Sequence, residues 1–253
     1  MIDWTVLKPI YSLGRIPFIV KSPDAAFERE LARLLPRPRL VPDTIYELWT
    51  GNDVRGLISD ILARHAGFLW IDAACVLSPQ GHKVLIAGHS GAGKSTTALA
   101  LALRYGWRVL AEDLTLIDPQ TNNIVVLATP FSLKAGTREL LEETIAMVPE
   151  PVVFGEWVPM NNMHAKDECR SYFDLSLYFG KARHGEPINK SACSSAQYIR
   201  LLLSCSSLIH DENGPDRLAE YVGSGSCYQV MGGSLSERLD LILGLTENTN
   251  VHE

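Results

Sequence analysis

An eight-residue segment near the middle of the chain has the residue types and spacing that bind phosphate. Its sequence, Gly88-His89-Ser90-Gly91-Ala92-Gly93-Lys94-Ser95, fits the pattern G-x-x-x-x-G-K-S/T. Glycines allow backbone N–H groups to point inward around an anion, and the positive end of a following helix adds to the attraction. We therefore expect Lys94 to reach the β- and γ-phosphates of a nucleotide and the Ser95 hydroxyl to ligate Mg²⁺.

Two threonines follow this glycine loop, and their role has two interpretations. Thr96 and Thr97 either contact the α-phosphate or only cap the helix that begins at the loop.

A pair of carboxylates follows the next apolar segment. A predicted strand from Trp107 to Ala111 brings Glu112 and Asp113 to its C-terminal end, which faces the ligand crevice in an open α/β sheet. One carboxylate there can hold Mg²⁺, directly or through water, and the other can accept a proton from an attacking hydroxyl. A solvated acidic turn is the alternative interpretation.

Short apolar segments around the loop predict the elements that position it. "FLWIDAACVL" and "KVLIAG" read as adjacent strands joined by the turn "SPQG", and the second strand leads into the loop. After the loop, "TTALALALRY" is apolar nearly all round, which predicts a buried helix. Gly106 stands where a helix ends in the left-handed conformation.

The rest of the chain mixes strand and helix patterns. Beyond the carboxylates we predict two strands joined by the turn 118–123, a helix in "TRELLEETIAMV", a strand over 171–179, a helix capped near Ser194 or Ser195, a strand ending in Gly-Gly, and a last helix with the capping box Ser234-x-x-Glu237. The polar tail "TENTNVHE" is predicted to fray. This order favours an α/β or α+β protein with a mixed sheet.

Residues 1–62 are predicted to form a small N-terminal α/β extension. "IPFIV" is a strand candidate, Ser22-Pro23 can start a helix with Leu31 on its apolar face, and the prolines of "PRPRLVP" end that helix. Residues 63–253 form the second predicted unit.

Composition excludes some classes of function. The formal net charge of -6 and a pI near 5.7 argue against a nucleic-acid partner. No segment reaches the roughly 18 apolar residues that span a bilayer, so we expect no membrane association. Five scattered cysteines fit reduced structural thiols and a cytoplasmic location.

The loop and the acidic pair together resemble the HPr serine kinase/phosphorylases and their smaller HPr-kinase-like relatives. That family combines a loop of the form G-x-S-G-x-G-K-S with a strand that ends in two acidic residues, here "LAED". It also has a histidine-glycine element upstream, which "RHAGFLW" matches with His65 and with Ala66 in the place of the glycine. The resemblance covers Ala63 to Gly136.

This resemblance implies a fold, a set of roles and an activity. The implied fold is the α/β architecture of phosphoenolpyruvate carboxykinase and HPr kinase, with 63–253 as a P-loop kinase domain. Glu112 matches the family's catalytic carboxylate, Asp113 its neighbour, and His65 the residue that assists them. The Glu-Ile-Arg-Gly strand of the family has no clear counterpart, although "PFSLKAG", with Ser132 and Lys134, stands near its place.

The sequence therefore predicts an ATP- and Mg²⁺-dependent kinase that phosphorylates a hydroxyl. Smaller members of the family accompany peptide modification, so serine in a peptide or small protein is the expected acceptor. A small-molecule kinase, a non-transferring P-loop ATPase and a regulatory nucleotide-binding protein are the alternatives. Lys134, Lys181 and Arg183 are candidates for further positive charge. Self-association of the chain stays open.

Overall fold

The fold was analysed in a computed structural model of the 253-residue chain. It describes residues 10–13, 16–21, 29, 31, 46–49, 57, 60, 69–118, 123–125, 131–147, 157–158, 169–170, 172–181, 185–209, 212–222 and 225–248.

The described residues form both strands and helices. The strands are β1 (Ile10–Leu13), β2 (Ile16–Lys21), β3 (Tyr46–Trp49), β4 (Leu69–Leu77), β5 (Lys83–Gly88), β6 (Arg108–Ala111), β7 (Leu114–Asp118), β8 (Asn123–Val125), β9 (Phe131–Ser132), β10 (Trp157–Val158), β11 (Cys169–Arg170), β12 (Leu175–Phe179), β13 (Asn189–Ala192) and β14 (Ser226–Met231). The helices are α1 (Lys94–Tyr105), α2 (Ala135–Met147), α3 (Ser195–Leu203), α4 (Gly214–Val222) and α5 (Leu235–Asn248).

An open, mixed sheet forms the centre of the fold, as the sequence predicted. In the described part of the chain it has nine strands in the order β11-β8-β7-β4-β5-β12-β14-β13, with β6 also paired to β4. The strands β5, β12 and β14 run parallel to one another, whereas β4 and β13 are antiparallel to their neighbours. The C-terminal ends of the three parallel strands therefore lie at one edge of the sheet.

The hairpin of β4 and β5 confirms the two strands predicted before the glycine loop. Ser78 N–H donates to His82 O at 2.9 Å and Gly81 N–H donates to Ser78 O at 3.0 Å, which closes the connecting turn. All six residues of β5 are buried, because strands lie on both sides of it and helices cover both of its faces.

Helices cover the two faces of the sheet. The first face carries α1, α2 and α5, whose apolar side chains pack with those of β4, β5, β12 and β14. The second face carries α3 and α4 over a separate apolar cluster. As predicted, α1 is buried along most of its length and ends at Gly106, whose φ is 68°.

Two helices begin with capping boxes, of which the sequence predicted the one at Ser234 and, for the other helix, only a cap at Ser194 or Ser195. Ser194 caps α3, where its amide donates to the Gln197 side chain at 2.9 Å and the Gln197 amide donates to Ser194 Oγ at 3.3 Å. Ser234 and Glu237 make the same reciprocal pair at the start of α5, at 2.7 and 3.3 Å. Each capping interaction is worth about 1 kcal/mol.

The structure corrects several predicted boundaries. The first residues of the tail do not fray as expected, since α5 continues to Asn248 and the buried Thr246 donates its hydroxyl to Ile242 O at 3.0 Å, whereas residues 249–253 lie outside the described residues. The strand predicted over 171–179 is confined to β12. Neither α4 nor β13 was predicted, because α4 starts at a Gly-Pro pair that reads as a turn and the four residues of β13 are all exposed.

The N-terminal part contains a sheet of its own. Among the described residues it has three strands in the order β1-β2-β3, with β1 and β2 antiparallel and β2 and β3 parallel. The predicted strand "IPFIV" is confirmed as part of β2. The predicted start of a helix at Ser22-Pro23 lies outside the described residues, although Leu31 is helical and fully buried.

Candidate functional site

The glycine loop connects the C-terminal end of β5 to α1 at the edge where the parallel strands end. Gly91 and Gly93 have φ angles of 81° and 92°, in the left-handed region that favours glycine. Gly88 is needed for another reason: a Cβ there would collide with the carbonyl of Phe179 on the neighbouring strand β12. The glycines thus serve both the turn and the close approach of two strands.

The first turn of α1 has no cap of its own. Its N-cap residue is Gly93, no side chain caps the helix, and no acidic residue lies in the first turn. Within the described structure, no acceptor is found for the backbone N–H groups of Gly91, Gly93, Lys94 and Ser95. These amides and the helix dipole make the start of α1 electropositive, in contrast to α3 and α5.

Lys94 is the centre of the site. Its side chain is only 4% exposed, and its ammonium points back to the start of the loop. The ammonium donates to Gly88 O at 2.7 Å and to His89 O at 3.4 Å, and it forms an ion pair with Asp72 Oδ1 at 2.9 Å. A buried charge of this kind is tolerable because it is both paired and hydrogen-bonded.

Asp72 is a site residue that the sequence analysis missed. It lies on β4, and its side chain is 35% exposed. Ala74 and Val76, which share a face of β4 with it by strand alternation, pack in the cluster that α1 covers. A single carboxylate in the apolar run "FLWIDAACVL" was the signal available in the sequence.

A short segment after α3 holds Asp72 in place. The Asp72 amide donates to Cys205 O at 2.7 Å, and the Ser207 amide donates to Trp70 O at 3.0 Å. Ser206 forms an isolated antiparallel bridge with Ile71. The segment therefore pairs with the part of β4 that extends beyond its pairing with β5.

The acidic pair follows directly on the C-terminal end of β6, as the sequence predicted. Glu112 and Asp113 form a short break between β6 and β7, both of which pair with β4. One register runs through this break, so that Glu112 is next to Ala74 and Asp113 next to Ala73. Ala74 packs in the cluster that α1 covers and Ala73 in the cluster of the other face, so the two carboxylates lie next to residues of different faces. In agreement, Glu112 is 9% exposed and Asp113 is exposed.

The two threonines of α1 differ in their surroundings. The Thr96 hydroxyl is 2.8 Å from that of Thr137, which joins α1 to α2. The Thr97 side chain is 1% exposed, and its hydroxyl has no hydrogen-bond partner among the described residues.

Arg238, at the start of α5, is the second cation beside the loop. Its side chain is 6% exposed and lies over the ring of Phe179, 4.7 Å from the ring centroid. The guanidinium donates to Ala92 O and, at 2.8 and 2.9 Å, to Gly232 O. Burial lowers its pKa, although a guanidinium keeps its proton in proteins. Sequence reasoning missed this residue because 146 positions separate it from Ala92.

The orientation of the Ala92–Gly93 peptide follows from Arg238. The described chain contains no cis peptide bond, so the carbonyl and the N–H of this peptide point in opposite directions. Because Arg238 binds the carbonyl, the N–H of Gly93 points away from Arg238. Arg238 therefore sets the direction of one loop amide.

The Cys205 thiol lies close to the same group of charges. Burial, and after it the charge of Asp72, raises the pKa of this thiol to about 11. At neutral pH the thiol is protonated and is not a nucleophile. None of the four described cysteines with placed side chains forms a disulfide, namely Cys75, Cys193, Cys205 and Cys227.

The other residues predicted for the site are exposed or lie outside the described residues. His65, Ala66 and Arg183 lie outside them, and the structure does not describe the side chain of Ser132. Lys134 and Lys181 are exposed. His89 and Ser90 are exposed on the loop, and the ring of His89 packs edge-on against that of Tyr178, with 6.1 Å between centroids.

Two kinds of feature are absent from the described residues. No three His, Cys, Asp or Glu side chains among them lie together as a metal-binding group. None of the described helices is long and apolar enough to cross a membrane.

Comparison with known proteins adds no family assignment. No protein-family model matches the chain, and no curated protein is significantly similar to it in sequence.

Proposed function

We propose that the chain is a kinase that binds ATP at the glycine loop and transfers the γ-phosphate to a hydroxyl group. The acceptor is serine in a peptide or small protein. This acceptor class rests on the resemblance to HPr-kinase-like proteins.

One observation carries the proposal: an uncapped helix start and a buried lysine meet in a single loop at the carboxyl edge of parallel strands. The amides of Gly91, Gly93, Lys94 and Ser95 have no acceptor within the described structure, and the Lys94 ammonium lies beside them. Donors that are held in place without an acceptor suit a multiply charged anion such as a polyphosphate. Capping boxes supply such acceptors in α3 and α5.

The backbone amides and the lysine of the loop have different roles in binding the polyphosphate. The backbone amides hold phosphate oxygens, and Lys94 neutralises charge on the β- and γ-phosphates. Because phosphoryl transfer passes through a loose transition state, catalysis consists mainly of such positioning and charge neutralisation.

Mg²⁺ fits this site through Ser95. Magnesium keeps several waters and takes substrate phosphate oxygens, so it needs few protein ligands. The Ser95 side chain, half-buried in the first turn of α1, offers one hydroxyl at the loop. When bound, the ion would neutralise charge on the terminal phosphates. The resemblance also implicates Glu112 and Asp113, which follow directly on β6.

The test of this function separates a kinase from an ATPase. The protein is incubated with ATP, Mg²⁺ and a panel of serine-containing peptides, and ADP, inorganic phosphate and phosphopeptide are measured together. We expect slow ATP hydrolysis without peptide, strong acceleration by a suitable acceptor, and one phosphopeptide for each ADP. The variant Lys94→Ala serves as the negative control.

Rapid release of inorganic phosphate that no peptide affects would overturn the kinase proposal in favour of an ATPase. Failure to bind ATP at all, measured by calorimetry, would overturn the assignment of the loop.

A further inference from the structure

The Lys94 ammonium has a complete set of acceptors within the protein. An ammonium offers three donors, and here Gly88 O, His89 O and Asp72 Oδ1 lie within 2.7 to 3.4 Å of it. The side chain is 4% exposed, so there is little room for a fourth partner. A phosphate that binds Lys94 must therefore replace one of the three acceptors.

Asp72 is the acceptor that can leave. The two carbonyls belong to the backbone at the end of β5 and the start of the loop, whereas Asp72 reaches the ammonium with a side chain that is 35% exposed. It is also the one anion of the three. A phosphate on the same ammonium would repel this carboxylate, and its exposed side has water to receive it.

The backbone of Asp72 cannot follow its side chain away from the site. The Asp72 amide is bonded to Cys205 O at 2.7 Å, and β4 pairs with β7 at this residue. A displaced carboxylate can only rotate about its own side-chain bonds. It therefore stays within a few ångströms of the phosphate that replaced it.

We propose that Asp72 is a displaceable counter-ion of Lys94 and that, once the terminal phosphates of ATP replace it, it is the carboxylate that takes the proton of the acceptor hydroxyl. This inference rests on the proposed kinase function. It assigns to Asp72 the role that the family resemblance gives to Glu112.

Contact with Lys94 together with exposure favours Asp72 over the other two carboxylates. A general base must touch the hydroxyl of an acceptor that enters from solvent. Glu112 is 9% exposed, and the register of β6 and β7 places Asp113 next to Ala73, which packs in the apolar cluster of the face away from α1. Asp72 is partly exposed and already touches the lysine that marks the phosphate position.

The transfer step balances with Asp72 in this role. The acceptor oxygen forms a bond to the γ-phosphorus, and the bond from that phosphorus to the β,γ-bridging oxygen breaks, with its electron pair leaving on ADP. The proton of the hydroxyl passes to the Asp72 carboxylate late in the step and from there to solvent. No oxidant or further reactant is needed.

Nucleotide affinity tests the counter-ion role without knowledge of the acceptor. The variant Asp72→Asn keeps shape and removes the charge, and binding of ADP and of a non-hydrolysable ATP analogue is measured by calorimetry with Mg²⁺ and with EDTA. We expect the affinity for the ATP analogue to rise at least about fivefold, because its γ-phosphate no longer competes with a carboxylate. The affinity for ADP, which has no γ-phosphate, should rise by a smaller factor. Asp216→Asn, an exposed change of equal charge on α4, is the matched control and should alter neither affinity.

Three results distinguish failure of this inference from failure of the proposed function. Equal or weaker binding of the analogue by Asp72→Asn would overturn the counter-ion role. Weaker binding seen only with Mg²⁺ would make Asp72 a metal ligand and also overturn it. Absence of nucleotide binding by the unmodified protein would instead overturn the proposed function.

The proton-accepting role of Asp72 is tested by measuring phosphoryl transfer to the peptide that the panel identifies. Asp72→Asn should lower kcat by roughly 10²-fold or more at undiminished nucleotide affinity. Glu112→Gln is measured beside it. Near-normal kcat in Asp72→Asn together with a large loss in Glu112→Gln would return the role of base to Glu112.

Discussion

At the scale of one residue, Lys94 belongs both to the proposed phosphate site and to the buried part of the fold. Its ammonium is held by two backbone carbonyls and by Asp72, so its position is determined before any ligand arrives. Preorganised charge is worth more than charge that must be reoriented during the reaction. This residue is therefore the most direct test of the loop.

The variant Lys94→Ala is expected to weaken ATP binding and to lower turnover by roughly 10²-fold or more, because one preorganised charge is lost. Binding is measured by calorimetry and turnover by ADP release. Lys190→Ala, which removes an exposed lysine on β13, is the matched control and should have little effect. Activity within a factor of two of the unmodified protein would show that the loop is not the nucleotide site.

At the scale of elements, α5 supports the loop through Arg238. The capping box at Ser234 and Glu237 sets the start of α5, and Arg238 follows immediately and reaches Ala92 O. The hydrogen bonds of Ser234 to the Glu237 carboxylate lower the pKa of Glu237. The cap is accordingly strongest above the ordinary pKa of a glutamate and weakens as the pH falls through the lowered value.

Arg238→Gln is expected to weaken binding of the ATP analogue, because the Gly93 amide loses its fixed direction. It should also destabilise the fold by about 2 to 3 kcal/mol, since buried carbonyls lose charged donors. Arg238→Lys should restore part of the affinity, because the ammonium can still reach one carbonyl. Affinity is measured by calorimetry well below each melting temperature, with Arg200→Gln on α3 as the exposed control. Loss of stability with unchanged affinity would show that Arg238 only packs the fold.

At the scale of the whole molecule, the loop is joined to the central sheet at Gly88. This residue ends β5 and lies against β12, in the middle of a nine-stranded sheet with apolar clusters on both faces. A substitution at Gly88 that moves β5 would therefore disturb the packing of both apolar clusters. Gly91, in contrast, has no neighbour within 4 Å of the position of a Cβ.

Gly88→Ala should therefore destabilise the protein more than Gly91→Ala does. The Gly91 variant suffers only backbone strain, about 1 to 3 kcal/mol, because its φ is 81°. The Gly88 variant adds a collision with the carbonyl of Phe179, which must separate β5 from β12 and should cost more than about 4 kcal/mol. Urea unfolding measures both, and equal losses would contradict this account of the sheet.

The local part of the architecture was predictable from the sequence. The strands β4 and β5, the buried helix α1, its end at Gly106 and the two capping boxes depend on residues within a few positions of one another. Polar β13 and the Gly-Pro start of α4 were not predictable in this way, because they are held by β14 and by the second apolar cluster, not by local pattern.

By itself, the sequence determined the glycine loop and the helix that follows it, because glycines, lysine and serine lie within eight consecutive residues and their conformations are local. Only the tertiary structure decided which charges meet there. Strand order places Asp72 beside Lys94, strand register separates Glu112 from Asp113, and the packing of α5 on α1 brings Arg238 to Ala92. These contacts depend on long-range burial of apolar faces, which the spacing of residues along one chain does not specify.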